Sequence, residues 1–206
     1  MVKIRKVRKE RLKPKEKILK YLIENKEPVS IRQTSGAVAI DYKNTYNYIG
    51  ELTASGAIVK ELKGNASFIE ANLSPNQEIY SVENKRTREF LEKHPTLKLI
   101  KNDLDELNYP FMIVLVFGSY AKNKETKTSD IDLCIIFDNE EKKKEFWNKL
   151  NLLSLNLEIQ EFTTKEFISM LEKRQNNVGH EIIKNNIILY GTENYYNLIS
   201  KWMKQE

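Results

Sequence analysis

The residues with the clearest chemical potential lie between positions 117 and 133. The apolar run 112–117 predicts a strand buried on both faces, and it is followed directly by Gly118-Ser119. A glycine at such a junction lets the backbone approach a ligand closely, and a helix that begins there directs unpaired N–H groups at a phosphate. Ser119 adds a hydroxyl group. The pattern therefore predicts a phosphate-binding turn.

Two aspartates stand at the start of the next predicted strand, whose apolar part is 133–137. Because strand side chains alternate, Asp130 and Asp132 leave the same face, with Cα atoms roughly 6.6 Å apart. Two carboxylates about 4 Å apart repel by roughly 4 kcal/mol at an effective dielectric near 20, so such a pair needs a countercharge. Since oxygen ligands favour Mg²⁺ or Mn²⁺, the pair predicts a divalent-cation site.

Gly118-Ser119, ten intervening residues and Asp130-Ile131-Asp132 together resemble the nucleotidyltransferase superfamily, the DNA polymerase β-like fold, and most closely its minimal members. The resemblance implies transfer of a nucleoside monophosphate from an NTP substrate to a hydroxyl group on RNA, a protein or a small molecule. It also implies that Asp130 and Asp132 hold Mg²⁺ (or Mn²⁺), and that Gly118 and Ser119 bind the nucleotide phosphates.

Lys122 completes the implied nucleotide-binding set. Relatives commonly carry Arg-Gly after the Gly-Ser helix, whereas this chain has Lys122-Asn123. Asn tolerates left-handed backbone geometry, so the turn is expected to survive, but Lys lacks the bidentate phosphate contact of Arg.

A third carboxylate on a neighbouring strand is implied by the same resemblance, and Glu158 is the candidate. Segment 153–160 alternates apolar and polar residues, which predicts a half-buried strand with Asn156, Glu158 and Gln160 on one face. Glu158 would bind a second metal ion and help to deprotonate the acceptor. Glu161 is the competitor, but it is expected on the opposite, leucine-rich face.

The front of the chain is basic, since residues 1–72 carry 15 Lys and Arg against 8 Asp and Glu. Nine of those positive charges lie in the first 17 residues, and we interpret residues 1–13 as a basic arm. Such an arm is suited to contacts with phosphate backbones, with a solvated tail as the alternative.

Residues 14–73 predict three helices followed by a hairpin, with Ser30 and Asp41 as N-caps of the second and third helices. This order resembles a winged helix-turn-helix domain, which implies that helix 42–54 is the recognition helix. Tyr46 is expected on its apolar side. The candidate DNA-binding residues are Tyr42, Lys43, Asn44, Asn47 and Lys63, with Lys60 and Asn65 also on the wing. A protein or RNA partner is the alternative to duplex DNA.

Residues 74–110 predict a helical linker, in which Lys85, Arg86 and Arg88 are interpreted as a solvated face. Residues 111–206 form the predicted nucleotidyltransferase domain, with a crossover helix near 139–152. His180 is treated as structural, with a place near the nucleotide as the alternative. The predicted fold is thus α+β: a winged helix-turn-helix, a helical linker, and a mixed β-sheet flanked by helices.

The chain has a single cysteine, Cys134, and no apolar run near the roughly 18 residues of a membrane span. We therefore expect a cytoplasmic protein without a membrane partner, and leave a homodimer open. The functional prediction is a nucleotidyltransferase that binds DNA. The alternative is a DNA-binding regulator or toxin–antitoxin component whose transferase fold senses a nucleotide or acts only on a cognate partner. Three clustered anions favour the enzyme, because a pure binding module gains nothing from them.

Overall fold

The computed structural model describes residues 11–64, 66–173 and 175–203, and divides the chain into two compact units, Met1–Ala71 and Asn72–Glu206. Residues 1–10 of the predicted basic arm and Asn65 of the predicted wing lie outside the described residues. Across those described ranges, no helix has the length and apolar character needed to cross a membrane.

The described part of the first unit contains three helices and a three-stranded antiparallel sheet with strand order β1-β3-β2. Its elements are α1 (Pro14–Asn25), β1 (Val29–Ser30), α2 (Ile31–Val38), α3 (Tyr42–Ala54), β2 (Ile58–Lys63) and β3 (Ala66–Ala71). The predicted order of three helices and a hairpin is confirmed. β1 was not predicted, because two residues show no periodicity.

Side-chain caps set the boundaries of the helices in this unit. The hydroxyl of Ser30 accepts a hydrogen bond from the backbone N–H of Gln33 at 3.2 Å, and Asp41 accepts one from Asn44 at 3.0 Å. Each cap satisfies a backbone donor that has no partner within its helix, which is why α2 and α3 begin where they were predicted to begin. α1 ends at Asn25, and its C-cap residue, Lys26, has a left-handed backbone (φ 58°).

The buried stripe of α3 differs from the expected one. Tyr46 was placed with Ile49 and Leu52 on the apolar side, but its side chain is 50% exposed, so this interpretation is wrong. Thr45 takes the buried position instead. Position 45 lies four residues before position 49, so the threonine is on the same helical face as Ile49, and Tyr46 is turned about 100° away.

The second unit contains a four-stranded mixed sheet with strand order β6-β5-β4-β7. Its described elements are α4 (Gln77–Lys93), α5 (Leu97–Leu107), β4 (Ile113–Val116), α6 (Gly118–Ala121), β5 (Ile131–Ile136), α7 (Glu140–Leu150), β6 (Leu157–Phe162), α8 (Thr164–Leu171), α9 (Val178–Lys184), β7 (Ile187–Tyr190) and α10 (Thr192–Met203). β5 and β6 are parallel and joined by α7, which confirms the predicted crossover helix, while β4 is antiparallel to β5 and β7.

One face of the sheet packs against α5 and α7. The core there combines Val116 and Leu133 from the strands with Leu104 and Phe146 from the helices, all of them buried. β6 begins at residue 157 rather than at 153 as predicted. The early alternation arose because leucines in the connection, at 153 and 155, pack against the same core without belonging to the strand.

α4 and α5 occupy the segment predicted as a helical linker, and both belong to the second unit. Phe90 and Leu91 of α4 contribute to the core of the sheet. α4 begins at Gln77, because Asn76 caps it by accepting from the N–H of Glu78 at 2.9 Å. The interpretation of Arg86 as solvated is wrong: the residue is only 6% exposed.

Candidate active site

The turn after β4 brings the backbone of Gly118 against Asp132. Gly118 has φ +64°, and a Cβ atom built there would lie 1.9 Å from Oδ2 of Asp132. Any side chain at position 118 would therefore collide with the carboxylate and strain the backbone as well. The glycine thus serves close packing beside an acidic group, and this packing fixes the Gly-Ser turn next to β5.

Ser119 lies in α6, which is only four residues long. Its backbone N–H is hydrogen-bonded to the Asp132 carboxyl and partly offsets the rise in the pKa of that group, which burial causes first. The expected row of unpaired N–H groups aimed at a phosphate is therefore reduced, since one donor is used within the protein. The Ser119 hydroxyl is half-buried and belongs to the same turn.

Asp132 and Glu158 lie side by side on the parallel strands β5 and β6, where they are register partners. Adjacent strands are about 4.8 Å apart, so the two carboxylates leave the sheet on the same face at close range. Burial, followed by the negative charge of Glu158, raises the pKa of Asp132 above its ordinary value of 3.8, and Asp130 contributes in the same direction. The ionised form of Asp132 is thus disfavoured by its surroundings.

Asp130 precedes β5 and is exposed. Its Oδ1 accepts a hydrogen bond from the side-chain amide of Asn156, which precedes β6. Asn156 was predicted to share the face of Glu158, but its contact with Asp130 was not. Partners on two different strands are assigned only once the strand register is known.

The charges of the three carboxylates are not balanced by the protein. Within residues 11–64, 66–173 and 175–203, no Lys, Arg or His forms an ion pair with Asp130, Asp132 or Glu158. In the same ranges, no group of three or more Asp, Glu, His or Cys side chains is close enough together to form a metal site as it stands. The donor set consists only of carboxylate oxygens, which suits Mg²⁺ or Mn²⁺. These residues fit a divalent cation by chemistry and charge.

Lys122 follows α6 as its C-cap residue, and its ammonium group is paired with the carboxylate of Glu181 on α9. This contact was not predicted, since the two residues are far apart in sequence. Asn123 has φ 51°, so the left-handed geometry expected there is confirmed. A phosphate that reaches Lys122 would replace Glu181 as its partner.

Glu161 and His180, the two alternative candidates, each contact a residue outside the acidic set. Glu161 accepts a hydrogen bond from Trp147 at 3.2 Å and lies 3.5 Å from Lys143, so it is on the α7 side of the sheet as expected. The ring of His180 contacts the carbonyl oxygen of Leu171 at 3.0 Å. Cys134 is buried within β5, and burial raises the pKa of its thiol.

The candidate DNA-binding residues occupy exposed positions of the first unit. Tyr42 is 54% exposed, and Lys43 and Asn47 are exposed on the same helix. The side chain of Asn44 is committed to the cap, donating to Oδ2 of Asp41 at 2.6 Å. Lys63 lies on β2, with its ammonium group 3.5 Å from Glu61.

Comparisons with known proteins find similarity over part of the chain. The family model "Polymerase beta, Nucleotidyltransferase" matches residues 99–195. The chain is 31% identical over 98 residues to "Putative protein adenylyltransferase" of Methanocaldococcus jannaschii, a region that is 45% of this chain and 70% of that protein. A solved toxin–antitoxin structure with AMP-PNP is similar at 18% identity, over 51% of this chain and 88% of that chain, with a TM-score of 0.32. A structural similarity of this size shows neither a ligand nor a partner.

Proposed function

The chain belongs to the polymerase beta nucleotidyltransferase family, and we propose that it transfers a nucleoside monophosphate from an NTP to a hydroxyl acceptor in a Mg²⁺-dependent reaction. The observation that carries this proposal is the pairing of Asp132 with Glu158 beside the Gly118 turn. Unbalanced carboxylates at a backbone turn suit the binding of a cation together with a triphosphate.

For the substrates we propose ATP and a protein hydroxyl. The relative from M. jannaschii is named as a protein adenylyltransferase, and the chain matches 70% of it. In this reaction an acceptor oxygen forms a bond to the α-phosphorus of ATP as the bond to the bridging oxygen breaks. Pyrophosphate leaves, and the acceptor proton is released.

The roles of the residues follow from their positions. Asp130, Asp132 and Glu158 would hold Mg²⁺, which when bound neutralises the charge that develops on the α-phosphate and on pyrophosphate. Glu158, an exposed carboxylate on β6, would accept the acceptor proton. The Ser119 hydroxyl and Lys122 would contact the outer phosphates.

The transfer proposal is tested with full-length protein, Mg²⁺, α-labelled ATP and a mixture of candidate protein acceptors. Glu158→Gln should lower label transfer roughly 10²- to 10⁴-fold, the range expected when a general base is lost. Glu161→Gln is the matched control, because the same change is made on the same strand but on the opposite face. Asp130→Ala/Asp132→Ala should abolish transfer.

Equal transfer by wild type and Asp130→Ala/Asp132→Ala would end the enzyme hypothesis. A second outcome is that no acceptor becomes labelled, while Mg²⁺-ATP raises the melting temperature of wild type and not of the double variant. In that case the alternative function, a regulator that senses a nucleotide, replaces the enzyme hypothesis.

For the first unit we propose a winged helix-turn-helix that binds duplex DNA through α3. The support is the order of three helices and a hairpin, with Tyr42, Lys43 and Asn47 exposed on one helix. Lys43→Ala and Asn47→Ala should each weaken duplex binding by about 1 to 3 kcal/mol where a base is contacted. Arg32→Ala, an exposed change on α2, is the control. Unchanged affinity with an unchanged salt dependence would point to a protein partner instead.

A further inference from the structure

Four polar residues mark the ends of the two parallel strands that meet at the site. Asp132 on β5 lies opposite Glu158 on β6. Two residues earlier in each segment, Asp130 directly precedes β5 and Asn156 directly precedes β6. The backbone N–H of Ile131 donates to the carbonyl oxygen of Asn156 at 2.9 Å. Three of the four positions carry a carboxylate, and Asn156 is the neutral one.

The side-chain amide of Asn156 can donate hydrogen bonds, which a fourth carboxylate at this position could not do. A carboxylate only accepts hydrogen bonds, whereas an amide offers two N–H donors. Nδ2 of Asn156 donates to Oδ1 of Asp130, so one oxygen of the aspartate is held without any added charge. The second oxygen of Asp130 keeps its lone pairs for another ligand.

The backbone of Asn156 is fixed independently of this side chain. Its carbonyl oxygen is held by the N–H of Ile131, the first residue of β5, and this bond survives any substitution at position 156. The side chain of Asn156 therefore projects from a fixed point toward Asp130. Since both side chains are exposed, their hydrogen bond adds little to folding stability.

We propose that Asn156 is a positioning residue that turns Asp130 toward a divalent cation held with Asp132 and Glu158. The assignment rests on the proposed function, because it concerns the same cation site. It differs from a simple tie between two strand ends, which would affect folding stability and leave cation affinity unchanged. Hydrogen bonds of this kind, made to the residues that hold a metal, commonly change affinity or activity by 10- to 100-fold when removed.

The test measures Mn²⁺ binding to the full-length protein without nucleotide. The electron paramagnetic resonance signal of free Mn²⁺ reports how much of the metal is bound. Asn156→Ala should weaken binding about 10- to 100-fold, while its urea unfolding midpoint stays that of wild type. Asn156→Gln keeps an amide donor on a longer side chain, so its Mn²⁺ affinity should lie between those of wild type and Asn156→Ala. The control is Asn151→Ala, an exposed asparagine in the same connection between α7 and β6.

A double variant shows whether Asn156 acts through Asp130. Asp130→Ala/Asn156→Ala should bind Mn²⁺ no more weakly than Asp130→Ala alone, since the residue to be positioned is already gone. Additive losses, or an Asn156→Ala protein with wild-type affinity, would overturn the assignment. Asp132→Asn reports on the cation site itself: if wild type and Asp132→Asn bind Mn²⁺ equally, the proposed site fails, and the role of Asn156 fails with it.

Discussion

The second unit holds two clusters of polar side chains that differ in how their charge is balanced. The first, which we call the buried network, consists of Glu83, Arg86, Asn186, Tyr195 and Tyr196. Arg86 pairs with Glu83, and it donates to the carbonyl oxygen of Asn186 at 3.2 Å. Tyr196 donates to Glu83 at 2.7 Å, and Asn186 donates to the hydroxyl of Tyr195 at 2.9 Å. Glu83 is 0% exposed, yet both of its oxygens have donors.

The second, the acidic cluster, consists of Asp130, Asp132 and Glu158. It is more exposed than the buried network. Burial of Asp132, followed by the negative charges of Glu158 and Asp130, raises the pKa of the Asp132 carboxyl. In the buried network, both charged residues have partners within the protein. Their hydrogen bonds join α4 to α10 and to Asn186, the residue before β7. The contrast indicates that the buried network holds the fold together, whereas the acidic cluster is suited to a cation from outside.

The largest expected effect on stability comes from breaking the buried network. Arg86→Ala should lower the free energy of unfolding by about 3 to 5 kcal/mol, because Glu83 would be left as a buried charge without its partner. Urea unfolding measures this loss. Arg88→Ala, an exposed change on the same helix, should cost no more than about 1 kcal/mol. Equal losses in the two variants would show that the buried network is not what distinguishes Arg86.

A smaller loss of stability, with a large loss of activity, is expected from Gly118→Ala. The left-handed backbone costs about 1 to 2 kcal/mol for a residue with a Cβ atom, and that atom would also displace the carboxylate of Asp132. Gly64→Ala is a matched control, since Gly64 has φ +63° with nothing within 4 Å of its added Cβ. Both variants should lose stability in urea unfolding, but only Gly118→Ala should lose nucleotidyl transfer. Full transfer by Gly118→Ala would contradict the role of this turn.

The smallest expected effect concerns Asp132, whose ionised form is disfavoured first by burial and then by the charges of Glu158 and Asp130. The raised pKa of Asp132 means that the folded protein binds this proton more tightly than the unfolded chain does, so the free energy of unfolding falls as pH rises through the range just above 3.8. Without divalent cations at neutral pH, Asp132→Asn should therefore be more stable than wild type by roughly 0.2 to 1 kcal/mol.

Below pH 3.8 both proteins carry a neutral residue at position 132, so the difference in unfolding free energy should disappear. Added Mg²⁺ should stabilise wild type and not the variant. An Asp132→Asn protein that is less stable than wild type at neutral pH in the absence of divalent cations would show that the surroundings of Asp132 do not disfavour its ionised form.

The central strands and the turn between them could be predicted from the sequence, because their signals are local. The apolar run before Gly118 and the one after Asp132 both became buried strands. Glu158 could be placed on the face of Asp132 because strand side chains alternate with a period of two, and the parallel register brings the two residues together. Which residues act in the reaction stays a prediction.

The contacts that could not be predicted join residues distant in sequence. Arg86 lies in a charged run of a helix, and it donates to the carbonyl oxygen of Asn186, 100 positions later. Lys122 with Glu181 and Asn156 with Asp130 are of the same kind. In each case the residue types were visible, but the partner is chosen by how helices and strands are placed in space.

The most direct test of the cation site is a crystal structure of the full-length protein with Mn²⁺ and a non-hydrolysable ATP analogue. Anomalous scattering locates Mn²⁺ independently of the surrounding atoms. We expect a peak about 2.1 Å from carboxylate oxygens of Asp130 and Asp132, with Glu158 facing the α-phosphate from the side of the acceptor. A nucleotide bound away from β5 and β6, or Mn²⁺ bound without contact to these aspartates, would contradict the account.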